Sequence, residues 1–151
     1  MALDFATPRS WLTSHAQSLG LFDRVLAHEP VSAPGSGLTY AVWLGDIAPT
    51  QSSGLNSTSV RVVFNGRVFL PADTEPMDDV DVTVGGAAAA VIGAYSADFT
   101  LGGTVRNLDL LGQGAEALRA RLGYLQLDST TYRIATLSIP MIFNDVWGQV
   151  P

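Results

Sequence analysis

The sequence predicts an α+β fold: a mixed, mostly antiparallel β-sheet with two main helices packed on it. In the stretch 78–98, the apolar side chains recur at helical spacing at Val80, Val84, Ala87, Ala88, Val91 and Tyr95. Two further stretches, 59–70 and 132–143, alternate apolar and polar residues as strands do. With 151 residues the chain is long enough for one core. We expect a single domain, 1–151, with flexible loops at about 29–37, 49–58 and 71–78.

Each predicted helix has recognisable ends. The first is expected over Pro8–Leu19, with Thr7 as its cap, proline at the first helical position and Gly20 as the left-handed residue that ends it. The second is expected to begin at Asp81, whose carboxylate could accept the free amide protons of the first turn. Ser96–Asp98 has the turn chemistry to end it. Three glycines weaken this helix in isolation, so it should form only against a sheet.

The first half of the chain also predicts strands. Phe22–His28 is a short strand, and Leu38–Ile47 is a strand with two apolar faces, which suits a central position under helices. The stretch Pro49–Ser59 is rich in serine and threonine without periodicity, so it is predicted to be a long loop or flexible finger.

Asn65-Gly66 invites a hairpin within 59–70. A two-residue turn there would pair Phe64 with Arg67 and mix charged with apolar groups on each face. An unbroken strand instead separates an apolar face from a polar one, so the continuous strand is preferred. Gly66 then marks a bulge or a close approach.

In the second half, strands are predicted over Thr104–Leu111, Leu118–Leu127 and Tyr132–Ile139, with a turn at Asp128–Thr130. The apolar phase of the last strand continues to Phe143. Pro140 cannot donate to a ladder, so the strand should lie at an edge there or be kinked.

Composition excludes several classes of function. The chain has no cysteine, all eight basic residues are arginines scattered along it, and the net charge is −6, which argues against tight nucleic-acid binding. The most apolar window, 84–95, is shorter than the roughly 20 residues of a membrane span, and the N-terminus does not resemble a signal peptide. We therefore expect a protein made in the cytoplasm that stays there until it is assembled, with no membrane partner.

Motifs for chemistry are weak. Gly112–Ala117 matches a dinucleotide-binding pattern in form, but too few residues follow for a helix. Asp79 and Asp81 have calcium-loop spacing without the glycine and glutamate that such a loop needs, and helix capping explains them better. His15 is expected at the core margin. No catalytic residue, metal or cofactor is predicted, although carboxylates brought together from different elements stay possible.

Aromatic residues near the two ends are the remaining unexplained feature. They are Trp11, Trp43, Phe143 and Trp147. They can be core residues, or some can be anchors of a protein interface, where aromatic side chains are enriched.

Three stretches together resemble one family: Gly20–Val25 with His28–Pro30 and Ala33–Leu38, Ala94–Gly112, and Gly123–Leu125 with Tyr132-Arg133 and Ile142–Trp147. They are similar to the tail terminator proteins of long-tailed bacteriophages that infect actinobacteria. The resemblance implies a small α+β subunit that forms a ring, usually a hexamer, on the end of the tail tube. Its partners would be its own copies, the tail tube protein and the head-tail connector protein. DNA would pass through the ring without specific binding, and the protein would be located in the virion tail.

The family pattern marks no catalytic residue, so interface candidates come from the strand and loop predictions alone. Edge strands and long loops are the expected suppliers of ring contacts. The candidates are Arg61, Arg67, Arg106, Asp109, Gln51, Ser52, Ser53 and Leu55. Two other classes stay open: another ring of the head-tail joint, such as a neck or stopper protein, and a small ligand-binding domain or enzyme.

Overall fold

The fold is one mixed sheet with both helices on the same face. The structure, a computed structural model, describes residues 3–53, 57–112 and 116–148. Its helices are α1 (Ala6–Ser18) and α2 (Val80–Ala97), the latter preceded by a 3-10 turn at Met77–Asp79. Its strands are β1 (Arg24–Leu26), β2 (Thr39–Ser53), β3 (Ser57–Pro71), β4 (Asn107–Leu108), β5 (Arg119–Leu127) and β6 (Thr130–Gly148).

The strands follow the order β1-β2-β3-β6, and β4 and β5 both pair with the far side of β6. Only β1 and β2 pair in parallel, and every other pairing is antiparallel. The α+β prediction, with a mostly antiparallel sheet and two helices packed on it, is confirmed.

The main core lies between the helices and one face of the sheet. The predicted stripe of α2 is buried as expected, and the apolar residues of β3 and β6 lie beneath it. Two tyrosines join the layers: the Tyr40 and Tyr95 hydroxyl oxygens are 2.9 Å apart, and the Tyr95 hydroxyl donates to the Leu12 carbonyl at 2.9 Å. A buried hydroxyl needs such partners, so these bonds fix how α1 sits on α2 and the sheet.

The helices were predicted in place, but their N-terminal caps were predicted wrongly. In α1 the Asp4 carboxylate, not Thr7, accepts the amide protons of Ala6 at 3.0 Å and Thr7 at 3.1 Å. Gly20 does adopt the left-handed conformation, with φ +69°. Asp81 does not cap α2, because the 3-10 turn moves the entry toward the N-terminus. Asp81 therefore lies within the first turn, where its charge favours the positive end of the helix.

By length and composition alone, the helical stretch Met77–Ala97 could cross a membrane. In this fold its apolar stripe faces the sheet, and Val84 and Val91 are fully buried there. A core helix passes the same test, so the stretch is explained by packing.

The continuous β3 is confirmed, with no hairpin at Asn65-Gly66. Gly66 marks a close approach rather than a bulge in its own strand. A Cβ at this position would lie 2.4 Å from the Tyr40 hydroxyl oxygen, so only glycine leaves room for the tyrosine ring.

The loop predicted over Pro49–Ser59 is wrong for 49–53 and 57–59, because β2 continues to Ser53 and β3 begins at Ser57, while 54–56 lie outside the described residues. Both segments pair with each other, and the start of β3 also pairs with the end of β6. Ladder hydrogen bonds hold this polar segment as a strand, which local composition could not reveal. The central position expected for Leu38–Ile47 is also corrected: β1 covers only Thr39–Ala41, so the rest of β2 forms a sheet edge among the described residues.

The strand predicted over Thr104–Leu111 shrinks to Asn107–Leu108. Turns occupy the residues before it, where Leu101, Gly102 and Gly103 all have positive φ. The amides of Thr104 and Val105 then donate to the Thr100 carbonyl at 3.0 and 3.3 Å, which closes a turn where the strand was predicted to begin.

β6 is longer than predicted and passes straight through Pro140. The Pro140 carbonyl accepts the Asp109 amide proton at 2.9 Å, on the side where β4 and β5 lie. In an antiparallel strand the N–H and C=O of one residue point to the same side, so the absent N–H faces that side too. On that side, Ser138 is the last residue of β6 that pairs with β5, and Met141 is the first that pairs with β4. Proline is tolerated because it faces a gap between two partners.

Candidate assembly surfaces

Two of the predicted interface residues, Arg61 and Asp109, form a buried ion pair within the chain. The Arg61 Nη1 donates to Asp109 Oδ2 at 2.6 Å, and the side chains are only 9% and 7% exposed. The Arg61 Nη2 donates to the Glu116 carbonyl at 2.5 Å. The guanidinium thus ties both ends of the connection between β4 and β5 to the sheet. A role for this pair between subunits stays a prediction, and within the chain it is structural.

Arg67 lies on the face of the sheet that carries no helix. Its guanidinium carbon is 5.2 Å from the centre of the Trp43 ring, its Nε donates to Thr136 Oγ1 at 3.0 Å, and its Nη1 is 3.9 Å from Glu29 Oε2. Partial burial lowers the pKa of Arg67, and Glu29 opposes the shift. An arginine remains charged at neutral pH despite such a shift, so this face keeps a cation stacked on an aromatic ring.

Arg106 lies at a third place, beside the end of β6. Its amide donates to the Ile142 carbonyl at 2.8 Å, and its Nη1 donates to Asn144 Oδ1 at 3.3 Å. It lines an open cleft of about 550 Å³ that also includes Asp4 and Phe143. The structure therefore does not bring the predicted arginines into one site.

Three of the remaining candidates lie at the end of β2. Gln51, Ser52 and Ser53 pair with Ser59, Thr58 and Ser57 across the two strands. Leu55 lies outside the described residues. These positions stay interface predictions.

Two aromatic side chains at the ends of the chain are partly exposed, and the others are covered. Trp11 and Trp147 are 38% and 39% exposed, whereas Phe143 is buried in the main core. Trp43 is covered in part by Arg67. Phe143 is therefore a core residue, and an interface role for Trp11 or Trp147 stays a prediction.

A separate contact joins α1 to the turn after α2. His15, predicted at the core margin, has its Nε2 2.9 Å from Asp98 Oδ2, and Asp98 Oδ1 accepts the Gly102 amide proton at 3.1 Å. The Gly102 amide first, and His15 second, lower the pKa of Asp98. This contact therefore holds α1 against the turn that follows α2.

Within the described ranges, no three histidine, aspartate or glutamate side chains are placed to hold a metal ion. The buried tyrosines do not form a reactive pair either. Burial raises the pKa of both Tyr40 and Tyr95, so they remain neutral hydrogen-bonding groups. The calcium-like aspartates lie in the 3-10 turn and the first turn of α2, and part of the glycine pattern at 112–117 lies outside the described residues.

Edge strands were expected to supply ring contacts, but the sequence did not show which strands lie at the edges of the sheet. Among the described residues, no strand pairs with the outer side of β5 or with β2 beyond Ala41. The sequence predicted a strand over 118–127, but the residues of one strand do not show whether it lies at the edge of a sheet.

The likeness of this chain to known proteins is structural. No protein-family model matches the chain, and no curated protein matches it. A solved structure described as "Virion of native gene transfer agent (GTA) particle" contains a chain that is 16% identical to this one, with a TM-score of 0.44. The match covers 92% of this chain and 98% of that chain. A likeness at this level of identity and superposition does not by itself assign a function.

Proposed function

We propose that this chain is a structural protein of a phage-like virion, and specifically a tail terminator. In this role a ring of subunits, six in the expected case, caps the head-proximal end of the tail tube and stops its polymerisation. The ring then presents a surface to the head-tail connector. The observation that carries the proposal is the resemblance of three stretches, which are spread along the chain from Gly20 to Trp147.

The surfaces of the fold support an assembly role. Among the described residues, no strand pairs with the outer side of β5 or with β2 beyond Ala41, and one face of the sheet carries no helix. Open edges present unpaired backbone donors and acceptors, which bind another strand readily. A subunit that must contact a copy on each side needs two such different surfaces.

Charge is consistent with a passage for DNA. The net charge of −6 makes the subunit repel phosphates overall, and a ring that DNA passes through gains from weak binding. Replacing exposed aspartates that line the hole with asparagine should then slow DNA passage, and an unchanged rate would contradict this part of the proposal.

The proposal is tested by polymerising the cognate tail tube protein with and without this chain and viewing the products by negative-stain electron microscopy. We expect tubes that stop growing and carry a ring at one end. Long bare tubes in the presence of the chain would refute the terminator role. A ring that binds the head-tail connector but not the tube would favour a neck or stopper protein.

A further inference from the structure

We propose that neighbouring copies of this chain join by pairing the free edge of β2 in one copy with the free edge of β5 in the next. The inference rests on the proposed ring function and names the surfaces through which ring subunits meet. It follows from strand direction, from the apolar residues at each edge and from the charges at each edge.

The strand directions of the two edges are compatible. β2 is antiparallel to β3, β3 to β6 and β6 to β5, so β2 and β5 run in opposite directions within one sheet. A rotation about an axis along the strands preserves strand direction. A second copy placed by such a rotation brings its β2 antiparallel to the first copy's β5, and repeating the step continues the sheet.

Exposed apolar side chains lie at both edges on the face that carries the helices. On β2, Leu44 and Ile47 are paired with Phe64 and Val62 of the core face, yet they are 40% and 41% exposed. Gly45 is the extra residue of a β-bulge between Leu44 and Asp46. This bulge places Leu44 and Ile47 on the same face of the sheet.

On β5, Leu122 and Tyr124 are 40% and 67% exposed. They lie opposite Ala135 and Arg133 of β6, on the face that carries α2. Side chains on one face of an adjoining strand pair lie against each other, so joining the edges buries both apolar sets.

Charges on the opposite face are complementary. Asp46 lies opposite Val63 at the β2 edge, and Arg119 and Arg121 lie opposite Ser138 and Thr136 at the β5 edge. All three charged residues are exposed. The pairing therefore brings an acid on one copy to two arginines on the next, whereas pairing β5 with a second β5 would oppose like charges.

The β5 edge is long and regular for a free strand, and its protecting charges are Arg119 and Arg121. It has nine residues, contains neither proline nor lysine, and pairs with β6 without a register shift. Edges this regular are normally covered. A second copy supplies that cover.

Disulfide trapping tests the inference. Because the chain has no native cysteine, only the introduced cysteines can form disulfides. Leu44→Cys or Ile47→Cys is combined in one chain with Leu122→Cys or Tyr124→Cys, giving four double variants. Mild oxidation is applied to the chain alone at high concentration and to the chain with tail tubes. We expect at least one double variant to form a ladder of linked multimers on non-reducing gels. Val31→Cys with Val82→Cys, two exposed positions outside both edges, should give no ladder.

Single variants distinguish the proposed contact from a symmetric dimer. Each single variant should stay unlinked, and a mixture of Ile47→Cys with Leu122→Cys chains should give linked dimers only. Efficient linking of one single variant with itself would overturn the inference, because it requires identical edges to meet.

Charge reversal gives an independent measure. Asp46→Arg should weaken association at least about tenfold, and adding Arg119→Asp and Arg121→Asp in the same chain should restore it. Asp73→Arg, an exposed acid outside both edges, is the control. Association that is unchanged in Asp46→Arg would overturn the charge complementarity.

The outcomes separate this inference from the terminator role. Capped tubes without a ladder in any double variant would overturn the edge pairing and leave the terminator role standing. A ladder together with bare, growing tubes would support the edge pairing and refute the terminator role. Neither a ladder nor capping would overturn both.

Discussion

Removing one partner of the buried Arg61–Asp109 pair should destabilise the chain strongly. The two groups are 2.6 Å apart and their side chains are less than a tenth exposed, so water cannot replace the lost partner. Deleting one member of a buried pair typically costs about 3–5 kcal/mol. We expect Asp109→Ala to lower the free energy of unfolding by about that amount and the melting temperature by roughly 10 °C.

The assay is urea denaturation followed by the fluorescence of the three tryptophans. A double variant, Arg61→Met with Asp109→Leu, should recover to within about 1–2 kcal/mol of the natural chain, because apolar groups of similar volume need no partner. The slope of the unfolding free energy against urea concentration should be the same in each variant as in the natural chain. An equal slope would show that the substitutions do not change how much surface unfolding exposes.

The exposed pair of Arg67 and Glu29 serves as the control. Arg67 Nη1 and Glu29 Oε2 are 3.9 Å apart, and the Glu29 side chain is 56% exposed. Glu29→Ala should therefore change the free energy of unfolding by less than about 1 kcal/mol. A loss below about 1 kcal/mol for Asp109→Ala, or a double variant as unstable as the sum of the single ones, would refute the reasoning about burial.

Two further predictions concern backbone space and pH. Gly66→Ala should lower the free energy of unfolding by about 1–3 kcal/mol, since its methyl group would collide with Tyr40, whereas Gly86→Ala on the open face of α2 should raise it by about 0.5–1 kcal/mol. Thermal unfolding of the two variants checks this, and equal effects would contradict it. The pKa of Asp98 is held below its ordinary value of 3.8, first by the Gly102 amide, so its stabilising contribution is present above that pH and is lost as the pH falls through the lower, folded value. The stability difference between the natural chain and Asp98→Asn should therefore shrink below about pH 4, and a difference that is constant from pH 7 to pH 2 would contradict the assignment.

The elements with strong periodicity were predictable from the sequence. The buried stripe of α2 follows from spacing alone, and the continuous β3 follows from keeping Phe64 and Arg67 on opposite faces. Each depends on side chains within one element, which is the information that a local pattern contains.

What could not be predicted depends on distant partners. Gln51–Ser53 have no apolar pattern and are held as a strand by β3. Arg61 and Asp109 are 48 residues apart, and nothing in either neighbourhood indicates that they meet. The open edges are likewise a property of strand order, so the edge residues were missed while their strands were found.

Pro140 has a consequence for how the chain tolerates change in length. Because the gap at this residue separates β4 from β5, each of these strands holds its own register on β6. Residues added to or removed from the connection between them alter neither register. Among the described residues of that connection, the Leu118 amide donates to the Asp109 carbonyl at 3.2 Å, and Arg61 holds Asp109 and Glu116. Length variation among related chains should therefore accumulate between these two positions, leaving the sheet unchanged.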